Sequence, residues 1–199
     1  MDNTLSSENE LSVCSSNAKN KSILIGTRIP KDYFVASGTG ESDITIHAGS
    51  YHMALKAAGI EVCNIMTYSS ILPAIAREVE KPPVLAHGSV METIMAVATS
   101  EKGTRCTAGI IYGWLYDKQT GKKHGGLVCE HNGNYTEGEI KSLLDASIKE
   151  LYHNGFSEKY ELKDMNLIID TLVPKKKFGT ALVALCFINY VCPIIDKNY

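Results

Sequence analysis

The stretch Asn64-Ile65-Met66-Thr67-Tyr68-Ser69-Ser70-Ile71-Leu72-Pro73 is a short apolar run that closes on two adjacent serines, two more apolar residues and a proline. An apolar strand ordinarily ends in Gly, Asn or Asp, which supply turn geometry. Here two hydroxyls stand at its end, with the carboxamide of Asn64 upstream and the rigid ring of Pro73 downstream. On composition alone a Ser-Ser pair is a plain strand end whose hydroxyls bond the nearby backbone. The neighbouring residues give this pair a second reading.

Upstream, Tyr51, Ala54, Leu55 and Ala58 recur at helical spacing, with Ser50 as a candidate N-cap and Gly59 where a left-handed terminator belongs. This helix leads into the strand that ends at the serines. Before it, Tyr33 to Ser37 is β-prone and is followed by Gly38-Thr39-Gly40, which reads as a loop. Downstream, Val84 to Gly88 and Ile94 to Ala98 read as short strands around a turn, and Thr107 to Tyr116 with Gly125 to His131 forms a hairpin over Gln119-Thr120-Gly121. Thr136 and Glu139 spell a capping box, opening a helix whose stripe is Ile140, Leu143, Leu144, Ile148 and Leu151. Leu162 to Val173 and Thr180 to Val191 close the chain as strands, the second apolar almost throughout, as a strand buried on both faces would be. Strands outnumber helices, which implies an α/β (α+β) domain over residues 22–199 with helices outside a mixed sheet or a sheet pair. Residues 1–21, rich in Ser, Asn and Glu, read as a flexible polar tail.

Composition narrows the function classes. A net charge of -2 and only short basic runs give no stripe for nucleic acid or an anionic membrane. No apolar run is long enough to cross a bilayer, and the polar start lacks the pattern of a signal peptide, so the expected location is cytoplasmic. Six cysteines without a CxxC pair agree with a reducing compartment. His124, Cys129 and His131 lack a fourth ligand and paired spacing, so no metal is expected. Gly38-Thr39-Gly40 lacks the lysine that a phosphate-binding loop of the Walker type requires.

The second reading of Ser69-Ser70 is chemical. The Ser70 hydroxyl can attack the preceding carbonyl in an N to O acyl shift, provided that the fold strains the bond and stabilises the oxyanion. Elimination from the resulting ester leaves dehydroalanine at position 70, and tautomerisation with loss of ammonia turns it into a pyruvoyl group. Such a group replaces pyridoxal phosphate: it forms a Schiff base with an amino acid and draws in the electrons released as CO2 departs.

The junction from Asn64 to Pro73 resembles the processing site of pyruvoyl-dependent arginine decarboxylases. Ile29-Pro30-Lys31-Asp32-Tyr33-Phe34, Ser37 to Ser42, His47 to His52 and Gly126-Leu127-Val128-Cys129-Glu130 are similar too, in the same order, over about residues 28–195. The resemblance implies an αββα sandwich of two mixed or antiparallel sheets with outer helices. It also implies self-cleavage into a β chain of residues 1–69 and an α chain of residues 70–199, and conversion of L-arginine to agmatine and CO2 with proton consumption. Ser70 would be the pyruvoyl precursor and Ser69 the new carboxyl end. Asn64 would hold the oxyanion and orient substrate, and Glu130 would return a proton to the α carbon. Family members assemble as trimers or multiples of them, with sites between protomers. Proton consumption would suit acid resistance or exchange through an arginine-agmatine antiporter.

One position departs from the family pattern. His52 stands where an aspartate meets the substrate guanidinium in some relatives, and an imidazole offers no bidentate carboxylate; Asp43 and Glu41 are candidate substitutes, the alternative being an acidic partner from elsewhere. Two alternatives follow, the same chemistry on another amino acid and an unprocessed, non-catalytic module that binds a small molecule.

Overall fold

The structure is a computed structural model that describes residues 24–196. The expected tail over residues 1–21 lies outside them. In chain order the elements are β1 (Leu24–Ile25), β2 (Ile29–Pro30), β3 (Asp32–Ser42), a π-helical turn (Ile46–Tyr51), α1 (His52–Ala58), β4 (Asn64–Thr67), β5 (Ile71–Pro73), β6 (Arg77–Glu78) and β7 (Val90–Glu101). They continue with β8 (Cys106–Asp117), β9 (Lys123–Gly133), α2 (Glu137–Gly155), β10 (Tyr160–Leu172), β11 (Phe178–Phe187), β12 (Tyr190–Val191) and β13 (Ile194–Asp196). Contacts divide the chain at Arg28 and Val191 into a large unit and a small one, in which β1 pairs antiparallel with β13.

The large unit is a sandwich of two sheets, ordered β4-β7-β11-β3-β6 and β10-β8-β9-β5. Pairing is antiparallel in the second sheet, while the first is mixed because β4 joins β7 and β6 joins β3 in parallel. A small β2-β12 ribbon accompanies them. Side chains of successive residues point to opposite faces of a strand, so each sheet has an inner and an outer face. The inner faces meet in one core that includes Ile94, Val183 and Leu185 on one side and Ile110, Tyr112 and Val128 on the other. On one outer face Ala54, Leu55 and Ala58 of α1 cover Phe34, Leu182 and Ala184. On the other, Ile140, Leu144 and Ile148 of α2 cover Ile111, Leu115 and Leu127. The expected αββα layering is present, and β11 is buried from Gly179 to Phe187 because it lies between β3 and β7 with both faces covered.

Local signals explain several boundaries. Thr136 Oγ1 accepts from the Glu139 amide at 3.3 Å while Glu139 Oε2 accepts from the Thr136 amide at 2.8 Å, which completes the capping box. Asp117 Oδ1 accepts from the amides of Gln119 and Thr120 and shapes the β8-β9 turn.

Three expectations are corrected. Gly38-Thr39-Gly40 is no loop, since β3 runs through it; α1 lies so close to the sheet that a Cβ on Gly38 would stand 2.4 Å from the Ala54 carbonyl oxygen and one on Gly40 2.3 Å from that of Ser50. Ser50 is not an N-cap: it is buried within the π-helical turn, where its hydroxyl meets Thr180 Oγ1 at 2.8 Å. Gly59 does terminate α1, with φ of 69°. Residues 84–88 form no strand, because Val84 is exposed and Gly88 turns the chain with φ of 79°, whereas Val90–Glu101 is one uninterrupted strand.

Candidate active site

Tyr68, Ser69 and Ser70 separate β4 from β5, and they carry the chain from one sheet to the other. Packed sheets stand about 10 Å apart and an extended residue spans at most about 3.6 Å, so this crossover has little slack. It is pinned at both ends. The Tyr68 amide donates to the Thr93 carbonyl at 2.7 Å, and the Tyr68 ring packs on Phe187 with centroids 5.7 Å apart. On the far side the Ser70 carbonyl accepts from the Val128 amide at 3.1 Å.

Within the crossover the Ile71 amide donates to the Ser69 carbonyl at 3.0 Å, closing a three-residue turn around Ser70. Asp164 is the one described non-glycine residue with positive φ, so this turn is the ordinary inverse form. The contact places an N–H donor on the very carbonyl that Ser70 Oγ would attack. Ser70 Oγ in turn donates to Glu130, 2.7 Å from Oε2 and 3.0 Å from Oε1.

The β8-β9 register explains how Glu130 arrives there. Glu130 lies opposite Ile110 and two residues beyond Val128, both of which face the inter-sheet core, so it points inward. Cys129 packs on the opposite side with α2, and His131 turns the same way, its Nε2 meeting Ser147 Oγ at 2.8 Å. The strand β5 starts at Ile71, opposite Leu127, so β9 from Cys129 onward has no strand beside it on that edge among the described residues. A cavity of about 590 Å³ opens there, walled by Ser69, Ser70, Glu130 and His131 with Glu150 and Asn154 from α2. Cys129 also borders it, and burial, with a smaller effect from the Glu130 carboxylate, pushes its thiol up to about 11, which keeps it protonated.

The remaining candidates lie elsewhere. Asn64 is exposed on β4, its Nδ2 donating to the Gly88 carbonyl at 2.9 Å, and it does not line the cavity. His52 opens α1 and borders a separate hollow with His47 and Tyr51. Glu41 and Asp43 accept from backbone amides of the 175–177 turn, Glu41 from Lys175 and Lys176 and Asp43 from Lys177. No group of three or more potential metal ligands occurs among the described residues. No described helix is long and apolar enough to cross a membrane.

Sequence reasoning missed Glu150, Asn154 and Ser147, which reach the cavity only because α2 packs on β9. It also missed Glu92, buried behind Tyr68. The available signal was a lone acidic residue inside the β-prone run Val90 to Ala98.

Residues 32–192 match the family model described as pyruvoyl-dependent arginine decarboxylase. The chain is 33% identical over 187 residues to the pyruvoyl-dependent arginine decarboxylase AaxB of Chlamydia trachomatis, an alignment covering 83% of this chain and 94% of that protein. The Chlamydia muridarum protein of the same name is equally similar, at 33% over the same shares of each chain. A pyruvoyl-dependent arginine decarboxylase of Methanocella arvoryzae is 36% identical over 112 residues, 55% of this chain and 66% of that one. The chain belongs to the pyruvoyl-dependent arginine decarboxylase family, which makes it a carboxy-lyase.

Proposed function

We propose that the chain cleaves itself between Ser69 and Ser70 and then decarboxylates L-arginine to agmatine. The observation that carries this reading is the placement of Ser70 Oγ on the Glu130 carboxylate at the cavity wall, with an amide already bonded to the Ser69 carbonyl. In the acyl shift, Ser70 Oγ bonds to the Ser69 carbonyl carbon, the C–N bond breaks, and the hydroxyl proton passes by way of Glu130 to the freed amine. The Ile71 amide holds the oxyanion meanwhile. Elimination then releases the Ser69 carboxylate, and the remaining residue takes up one water and loses one ammonia. Residues 1–69 become the β chain and residues 70–199 the α chain.

The residues around position 70 fit the resulting group, since it is built from Ser70 itself and faces an open cavity with a carboxyl at hydrogen-bond distance. A pyruvoyl group there would supply the carbonyl that binds the substrate amine and takes up the electrons freed with CO2. Glu130 would then hold the proton that returns to the α carbon, consuming one proton per turnover. That consumption supports a role in acid resistance or in exchange with an arginine-agmatine antiporter. Asn64 would steady the substrate once its bond to Gly88 is exchanged. Exposed Met66, Ile71 and Val90 support association with further copies; the expected assembly is a trimer or a multiple, with His52, Asp43 or Glu41 as the residues that would meet the substrate side chain.

Intact mass of the purified protein tests the proposal. Two fragments meeting at Ser69 and Ser70 are expected, with an uncleaved and inactive chain for Ser70→Ala. A Ser70→Ala chain that still releases CO2 from arginine overturns it. The departure at His52 favours checking a second reading, the same chemistry on another amino acid, by assaying lysine, ornithine, histidine and aspartate beside arginine.

A further inference from the structure

Glu92 lies in β7, where Met91, Thr93 and Ile94 around it are all buried, and is itself only 2% exposed. Its backbone is in register with Met66 of β4 on one side and Phe187 of β11 on the other, which puts its side chain beneath the crossover. Glu92 Oε2 accepts from the Tyr68 hydroxyl and from Arg28 Nε, the latter at 3.3 Å. Oε1 accepts no hydrogen bond but lies against the Arg28 guanidinium, which also lies over the Tyr190 ring at 5.4 Å. A carboxylate this deeply buried is costly to desolvate, and the cost is offset only when its oxygens are matched by a charge and by donors. The donor kept here is the side chain of the residue just before the scissile pair.

Tyr68 is thus held by its amide on Thr93, by its ring on Phe187 and by its hydroxyl on Glu92, while Ser70 is held from the other sheet by Val128. The Ser69 peptide plane sits between these two fixed ends. Its carbonyl can be met by Ser70 Oγ only if the Tyr68 side is held steady, and small displacements from an attack geometry cost large factors in rate. We propose that Glu92, charge-matched by Arg28, is a positioning residue for self-cleavage: through the Tyr68 hydroxyl it sets how the Ser69 carbonyl is presented to Ser70. This inference rests on the self-cleavage reading above.

The test follows the freshly made chain by intact mass, in buffer and with hydroxylamine, for wild type, Tyr68→Phe, Glu92→Gln and the double variant. Hydroxylamine attacks the ester left by the acyl shift, giving a hydroxamate at Ser69 and an α chain that begins with unaltered Ser70. Tyr68→Phe removes one oxygen and Glu92→Gln one charge, so thermal midpoints should stay within a few degrees of wild type. Both variants should slow cleavage and hydroxamate formation together, on the order of tenfold to a hundredfold. The double variant should be no slower than the slower single one, because both remove the same contact. Wild-type cleavage rates in either single variant, strictly additive effects, slow cleavage with undiminished hydroxamate formation, or slow cleavage explained by a collapsed thermal midpoint would each overturn the proposal. Failure of the underlying reading shows separately, as a wild-type chain that neither cleaves nor yields hydroxamate.

Discussion

Ser70 Oγ donates to Glu130 Oε2 at 2.7 Å across the edge of a sheet, although the two residues are 60 positions apart in the chain. Beyond that pair, the described residues offer the Ser70 hydroxyl no other side-chain acceptor. On the proposed function, this one carboxylate would accept a proton before cleavage and donate one after CO2 has left.

Glu130→Gln should separate these uses. The amide oxygen still accepts a hydrogen bond from Ser70 but takes up no proton, so cleavage should slow without stopping. Turnover per cleaved chain should fall by about 10² or more, the usual worth of a positioned acid or base. Fragment appearance by intact mass and CO2 release per pyruvoyl group measure the two effects; full turnover would remove Glu130 as the donor.

Asn64 gives a contrasting prediction. Its carboxamide is tied to the Gly88 carbonyl at 2.9 Å and lies outside the cavity lining. If it orients substrate after processing, Asn64→Ala should weaken arginine binding and raise KM more than it lowers the cleavage rate. Steady-state kinetics beside a cleavage time course decide this, and unchanged KM would leave Asn64 with a local structural role.

Gly40→Ala should destabilise the fold. A Cβ there would stand 2.3 Å from the Ser50 carbonyl oxygen and 2.4 Å from the Ala54 nitrogen, both of them backbone atoms that cannot rotate away. The expected cost is about 1–3 kcal/mol, the range for overpacking, read from the denaturant midpoint. A glycine in a plain loop would have tolerated the change.

Asp32 supplies a pH dependence. At the start of β3 its carboxylate accepts from Arg77 Nε at 2.5 Å and Asn189 Nδ2 at 2.6 Å, and these bonds, Arg77 first, hold its pKa below the ordinary value. A depressed folded pKa means that the stabilisation is fully present above the unfolded value of about 4 and is lost as pH falls through the folded one. Wild type should therefore be more stable than Asp32→Asn near neutral pH, with the gap closing as the pH drops below about 4. Thermal melts of both proteins across that range check the sign.

What was legible in the sequence depended on neighbours along the chain. The Thr136–Glu139 capping box, the Gln119-Thr120-Gly121 turn and the Gly59 terminator each act within a few residues and appear where their spacing puts them. The apolar run in β11 correctly announced a strand covered on both faces. Gly38 and Gly40 misled because a glycine signals a loop only when nothing presses on it; here α1, folding back over β3, demands the missing side chain.

For the candidate site the same division holds. The sequence by itself determined the Ser69-Ser70 pair and its likeness to a family processing site, because the residues that carry that likeness are adjacent in the chain. Only the tertiary structure decided that the junction is the short bridge between two sheets, that Glu130 faces Ser70, and that Glu92 lies under Tyr68. Those relations follow from strand register and sheet order, which long-range packing of the two apolar faces selects and no local spacing encodes.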